Sequence, residues 1–332
     1  MEEDRGAGYW LLVAGWLLLV LPALCLAAYL AAPPKWRSAV GLPETAAAAA
    51  APPAAVSGRL PPLSEALHEG GQEARGEPAW RRHRQPPPAV AATTPLIALV
   101  LTGLGRDGTL LTDALALPGG VTLSFSPYGR PFDVAMAAAG EAGHELLLDL
   151  PMEGGAASDL GPQALLTLLD LDRNLQRLAW LLQGPEGGEL PPVVGVVALG
   201  GDPFLAAPDL AGPVLQALAA EGLILLDPQG AGRVPPTAGL PLLAADKQLS
   251  ASPPEDPGAT EGGAAEGSGT LQRQLAELER GALLNGSAIV VVPAEAALLD
   301  ALGPWLATLR QRGYALAPLS AVLERRLSTA AR

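Results

Sequence analysis

The feature that most constrains the fold is a regular alternation beginning at Pro95. Short apolar runs recur at Leu96–Leu101, Val121–Phe125, Glu145–Leu150, Val193–Leu199, Leu223–Leu226, Ala288–Val292 and Tyr314–Leu316. Each is too short for a stable helix and is bounded by Gly, Pro or polar residues, the pattern of a buried strand. Helical patterns lie between them, at about Thr109–Leu117, Pro131–Ala142, Pro162–Leu182, Pro208–Glu221, Leu271–Leu284 and Glu295–Arg312. Several open on Pro, whose missing N–H costs nothing in a first turn, and several close near Gly143, Gly184, Gly222 or Gly313. Strands that alternate with helices form a mainly parallel sheet covered by those helices. About seven such units predict an α/β fold of the incomplete (β/α) barrel kind.

Upstream of Pro95 the chain reads differently. Met1–Gly8 is short and acidic, and Tyr9–Ala32 is almost wholly apolar. As a helix, Tyr9–Ala32 would reach about 36 Å, enough to span a bilayer. Tyr9, Trp10 and Trp36 stand at its ends, where aromatic rings favour the membrane interface. A cleaved signal peptide is the alternative, but the acidic start, the length of the run and the missing small-x-small site favour a retained anchor. Lys35 and Arg37 outnumber Arg5, which taken alone would place the C-terminal side in the cytoplasm. Pro33–Thr94, with its alanine run and proline pairs, reads as a disordered linker, since such composition buries too little apolar surface to offset chain ordering. Its basic knot, Trp80–Arg84, reads as a solubilising patch, with contact to lipid headgroups or an acidic polymer as the functional alternative. Ser250–Gly269, rich in Pro, Gly and acid, reads as a flexible insertion between two units.

Charge and cysteine narrow the function classes. The formal net charge of -13 argues against nucleic acid, whose phosphates need a basic patch. The single cysteine, Cys25, excludes an internal disulfide and any Cys-built zinc site. Pro22-Ala23-Leu24 before it does not form a lipidation signal, so Cys25 reads as one more apolar residue of the anchor.

In this architecture chemistry sits where strands end. The first strand stops at Thr102-Gly103-Leu104-Gly105, so an active-site loop is expected to begin there. Four carboxylates fall at later strand ends or just beyond: Asp149, Glu153, Asp202 and Asp227. A pair across a cleft could act as acid and base on a glycosidic bond or hold a hard cation such as magnesium. As a structural role, each would be a polar strand end or a helix cap. His144, the domain's single histidine, follows Gly143 at the opposite, N-terminal end of a strand, where a hydrogen-bonded turn residue is expected. No serine-centred nucleophile elbow is present, and the glycines near Thr102 lack a phosphate-binding lysine.

One stretch, Ala142–Glu153 (AGHELLLDLPME), carries an unusual order of dipeptides; Pro95–Gly105 precedes it, and Val193–Asp202, Leu223–Asp227 and Gly286–Pro293 follow in step. Together, from about Pro95 to Leu323, they resemble the divergent polysaccharide deacetylase family, a membrane-associated branch of the NodB-like deacetylases. The resemblance implies a NodB-like barrel over residues 95–327, facing the periplasm from a bacterial inner membrane, and a role in carbohydrate or peptidoglycan metabolism. It also implies a divalent metal, yet the matching positions are Thr102 and Gly103 for the family's Asp pair. Val197-Ala198-Leu199 stands for its Asn-Asn-His, and Val291-Val292-Pro293 for its Gly-His-Pro. Thr, Ala and Val cannot replace imidazole as ligand or as acid and base, so the reading is no metal ligand set and no cofactor. Asp227 coincides with a family aspartate and leads the candidates for a retained role. Thr102, Asp149, Glu153 and Asp227 form the expected substrate-binding set, and catalysis, if any, falls to Asp227, Asp149, Asp202 or Glu153. The expectation is a glycan-binding pseudoenzyme. The alternatives are an envelope interaction or scaffold protein, or a hydrolase with a rebuilt carboxylate site.

Overall fold

The computed structural model describes residues 77–129, 132–154, 160–183, 191–230, 232–249 and 263–330. The expected anchor, most of the linker and most of the 250–269 insertion lie outside the described residues. Among the described residues no helix is long and apolar enough to cross a membrane.

From Leu96 onward the alternation holds. In chain order the elements are α1 (Ala79–Arg82), β1 (Leu96–Leu104), α2 (Gly108–Leu115), β2 (Thr122–Phe125), α3 (Phe132–Glu141), β3 (Glu145–Pro151), α4 (Leu171–Gln183) and β4 (Gly195–Leu199). Then come α5 (Asp202–Leu205), α6 (Pro208–Ala220), β5 (Ile224–Asp227), β6 (Leu242–Ala244), β7 (Lys247–Gln248), α7 (Gly263–Asn285), β8 (Ser287–Pro293), α8 (Ala296–Leu309), β9 (Ala315–Leu316) and α9 (Leu319–Ala330). All the strand pairs are parallel, in the order β6-β5-β4-β3-β2-β1-β8-β7, with β9 beside the start of β1.

That order forces the sheet to curl. β6 and β7 stand at its two ends, yet only Ala245 and Asp246 separate them in the chain. Three Cα steps span at most about 11 Å, so the two edges must approach each other. The link is bonded to both: Ala245 N–H donates to Asp227 O at 2.8 Å, and Asp246 N–H donates to Ile289 O at 2.8 Å. Asp246 Oδ2 also accepts from Ile289 N at 2.7 Å and from Arg326 Nη2 at 2.6 Å. The result is a parallel, curled α/β half-barrel of the NodB-like kind, with its seam at residues 245–246.

Strand alternation then sorts residues onto two faces. Leu99, Leu101, Leu123, Phe125, Leu148, Leu150, Val196, Leu225 and Val290 pack outward under the helices. Ala98, Val100, Leu147, Val197, Leu226, Ile289 and Val291 form the inner core. Leu319, Val322 and Leu323 of α9 join that inner core. Glu145 ties α9 in place at the N-terminal end of the strands. Its buried carboxylate accepts from Ser320 N at 2.9 Å, from the Ser320 hydroxyl, and from Gln85 N at 3.3 Å. Burial raises the Glu145 carboxyl above its ordinary value, although those donors favour the ionised form.

Three expectations need correction. The linker was expected to run to Thr94, but Ala79 and Trp80 pack on the barrel: Trp80 is 4% exposed and belongs to the inner core. Gly222 allows the close approach, since a side chain there would sit 2.8 Å from Ala79 N, and Trp80 N–H donates to Gly222 O at 3.0 Å. A single large aromatic surface outweighs the Pro-rich composition around it. The helix expected from Pro162 instead starts at Leu171, because Asp170 Oδ1 accepts from Arg173 N at 2.8 Å in the manner of an N-cap. Residues 160–170 form a loop. Strand β1 runs on to Leu104 rather than ending at Leu101, with a register shift against β2 between those two residues.

Candidate functional site

The inner face of β2 carries hydroxyls in strict alternation with outward Leu123 and Phe125. Thr122, Ser124 and then Ser126, just past the strand, are all buried. Each is used at a different depth. Thr122 Oγ1 accepts from Leu319 N at 3.1 Å near the N-terminal end. Ser124 donates to Asp149 Oδ1 at 2.6 Å, and Ser126 Oγ accepts from Arg106 Nε at 3.1 Å at the C-terminal mouth.

Asp149 is the centre of this arrangement. It shares the inward phase of Leu147 on β3 and is 4% exposed. Its second oxygen, Oδ2, accepts from Gly103 N at 2.9 Å. Gly103 can present that N–H because its φ is 84°, a left-handed conformation that glycine adopts without strain. Burial lifts the Asp149 carboxyl to about 6; the Ser124 hydroxyl, the Gly103 amide and the Arg106 charge oppose it by favouring the ionised form. A carboxyl poised near neutrality can accept or deliver a proton at physiological pH.

Thr102 is buried beside Asp149's partner, and its hydroxyl reaches Val292 O at 3.4 Å. Above it, Arg106 is exposed and lies over the Tyr128 ring at 5.4 Å. Tyr128 is braced in turn. Its hydroxyl accepts from Gln163 N at 3.0 Å, Trp180 lies 5.8 Å away between ring centroids, and any side chain at Gly161 would collide with the ring at 2.4 Å.

The other expected carboxylates go elsewhere. Glu153 accepts from Thr167 N at 2.6 Å and Thr167 Oγ1 at 2.5 Å, which hold it below the usual carboxylate range and fasten the 160–170 loop. Asp227 shares the outward phase of Leu225, so it and Asp149 point to opposite faces of the sheet. Asp227 is fully engaged with Arg233, from Nη2 at 2.7 Å and Nε at 3.1 Å, and with Gln229 N at 3.0 Å. Asp202 opens α5 and pairs with the same guanidinium, while Arg233 Nη2 also donates to Gly200 O at 3.2 Å. The structure therefore gathers Thr102 and Asp149 at the inner mouth, joins Asp202 to Asp227 on the helical side, and leaves Glu153 with its loop. His144 is buried at the N-terminal end of β3, with Nδ1 2.9 Å from Val121 O.

Four residues of this site were not anticipated: Ser124, Ser126, Arg106 and Arg233. The period-two Thr122-Ser124-Ser126 pattern within an apolar strand was a legible signal for the first two. The two arginines sit on loops, where periodicity carries no information.

The residues present do not suit a zinc-type metal. The inner mouth offers one carboxylate, already bonded through both oxygens, and hydroxyls from Thr102 and Ser124. Among the described residues no three His, Cys, Asp or Glu side chains converge, whereas such a site takes at least three nitrogen, sulfur or carboxylate ligands.

Comparison with known proteins agrees with this fold. The model of divergent polysaccharide deacetylases matches residues 99–256 and 264–323. The chain belongs to the divergent polysaccharide deacetylase family. Among solved structures it is similar to an uncharacterised protein of Agrobacterium tumefaciens C58, with 27% identity and a TM-score of 0.61 over 75% of this chain and 96% of that one. It is also similar to a candidate polysaccharide deacetylase of Mycobacterium smegmatis, with 14% identity and a TM-score of 0.41 over 74% of this chain and 96% of that one. No curated protein matches it.

Proposed function

We propose that this family member is a membrane-anchored protein of a bacterial envelope whose barrel mouth binds glycan without a bound metal. The observation that carries the reading is the bonding at the inner mouth. Where the family places metal-binding acids, Thr102 and Gly103 stand instead, and Gly103 donates its amide to Asp149. The apolar run Tyr9–Ala32 supports the anchor, and the family supports a periplasmic face and a carbohydrate ligand. Elemental analysis of dialysed protein, acetate release from acetylated glycan, and binding of an N-acetylglucosamine tetramer test the three parts. The expected result is binding with neither stoichiometric zinc nor acetate release.

A second reading is favoured by one observation, the Asp149 carboxyl at about 6. It makes the chain a hydrolase with a rebuilt carboxylate site. Acetate release that disappears in Asp149→Asn would establish this reading and overturn the first.

A further inference from the structure

Arg106, a cation of this acidic chain, is held in place by a hydrogen bond and a ring contact and, among the described residues, by no ion pair. Its Nε donates to Ser126 Oγ at 3.1 Å, and its guanidinium carbon lies 5.4 Å from the centre of the Tyr128 ring. Those two contacts fix the plane of the guanidinium. Tyr128 cannot drift, since Gln163, Trp180 and the bare Gly161 backbone enclose it. Other arginines behave differently: Arg84 pairs with Glu324, Arg233 with Asp202 and Asp227, Arg312 with Glu279, and Arg326 with Asp246. Among the described residues no carboxylate reaches Arg106 at ion-pair distance, and its two terminal nitrogens make no hydrogen bond. The side chain is exposed at the mouth above Asp149.

A planar guanidinium with its Nε anchored and both terminal nitrogens open is matched by a carboxylate accepting two parallel bonds. We infer that Arg106 is the anchor of a subsite for the carboxylate of an acidic saccharide, an assignment that rests on the glycan-binding reading and specifies its ligand class. Ser126 and Tyr128 are its positioning residues. A monoanion suits the mouth better than a phosphate. The guanidinium is unpaired and is, among the described residues, the one cation the mouth offers, with the Asp149 carboxylate bonded to Ser124 and Gly103 below it, so the second charge of a dianion would face Asp149 with no cation of its own.

The test measures affinity of the full chain, at low and at physiological salt, for four probes. They are tetragalacturonate, its methyl ester, a phosphate-bearing mannotetraose and the neutral N-acetylglucosamine tetramer. Tetragalacturonate is expected to bind at least ten-fold more tightly than its ester. Added salt reduces that ratio, and Arg106→Gln brings it close to one. Arg106→Lys keeps the charge without the fork and retains only part of the ratio. Tyr128→Leu, which leaves the guanidinium unbraced, also lowers it. The melting temperature of Arg106→Gln, measured alongside, excludes loss of fold as the cause. Equal binding of acid and ester, a preference that survives Arg106→Gln, or tighter binding of the phosphate probe would overturn the assignment while leaving the glycan reading intact. Failure to bind any of the four would overturn both.

Discussion

Replacing Asp149 with asparagine should stabilise the protein at neutral pH. A carboxyl ordinarily near 3.9 stands at about 6 in the folded chain, a gap of roughly two pH units, worth about 1.4 kcal/mol each. The sign follows from linkage. Because the folded value is raised, the native state holds its proton more tightly than the unfolded chain does. The contribution is fully present below about pH 4 and is lost as pH rises through about 6. Above pH 7 the ionised, buried carboxylate therefore destabilises the fold by about 3 kcal/mol relative to a neutral group of the same shape. Asparagine is that group. Its Oδ1 can accept from Gly103 N, and its amide can donate to Ser124 Oγ, whose hydroxyl turns to suit. Chemical denaturation of the two proteins between pH 4 and pH 8 is the assay. The difference in unfolding free energy should be under about 0.5 kcal/mol at pH 4 and rise to about 3 kcal/mol at pH 8, with its midpoint near pH 5. In melting temperature the gain at pH 8 is roughly 6–12 °C for a domain of this size. A pH-independent difference, or a destabilised Asp149→Asn at pH 8, would refute the argument that burial dominates this carboxyl. A group kept at such a cost to stability is the kind that function retains.

Two further perturbations follow from the packing. Arg233→Ala should destabilise by about 3–5 kcal/mol, because it strands a buried Asp227 that is 2% exposed. Asp202→Ala should change stability by less than about 1 kcal/mol, since that partner is 67% exposed; denaturation of the pair of variants separates the two halves of the clamp. Trp80→Ala should cost about 3–5 kcal/mol, so a chain beginning at Thr93 should melt well below one beginning at Glu77. Equal melting temperatures would mean that the Trp80 contact with the inner core contributes nothing.

How much was legible depends on whether the information is local. Apolar runs and helical periods are written residue by residue, so all seven expected strand positions fell on observed strands, the last, Tyr314–Leu316, on the short β9. The resemblance to the family is carried by a local order of dipeptides, and the family match covers the same part of the chain. The edges were not legible: β6 and β7 have three and two residues, too few for any periodicity, yet their two-residue link is what brings the sheet ends together. Trp80 illustrates tertiary override, for nothing in its Pro-rich surroundings indicates that Gly222 leaves room for the chain to reach the inner core.

The sequence by itself determined the alternation, the parallel sheet, the acidic surface and the absence of imidazole at the strand ends. It also placed Asp149 and Asp227 at the ends of strands, and there the two read alike. Only the tertiary structure separated them. Strand phase turns Asp149 inward among Ser124, Gly103 and Arg106, and turns Asp227 outward to Arg233. A one-residue difference in phase along a strand reverses the face that a side chain occupies, and in runs that are apolar on both faces no local signal fixes that phase. The partners that decide each carboxylate's chemistry come from 6 to 46 residues away, brought together by the curl of the sheet.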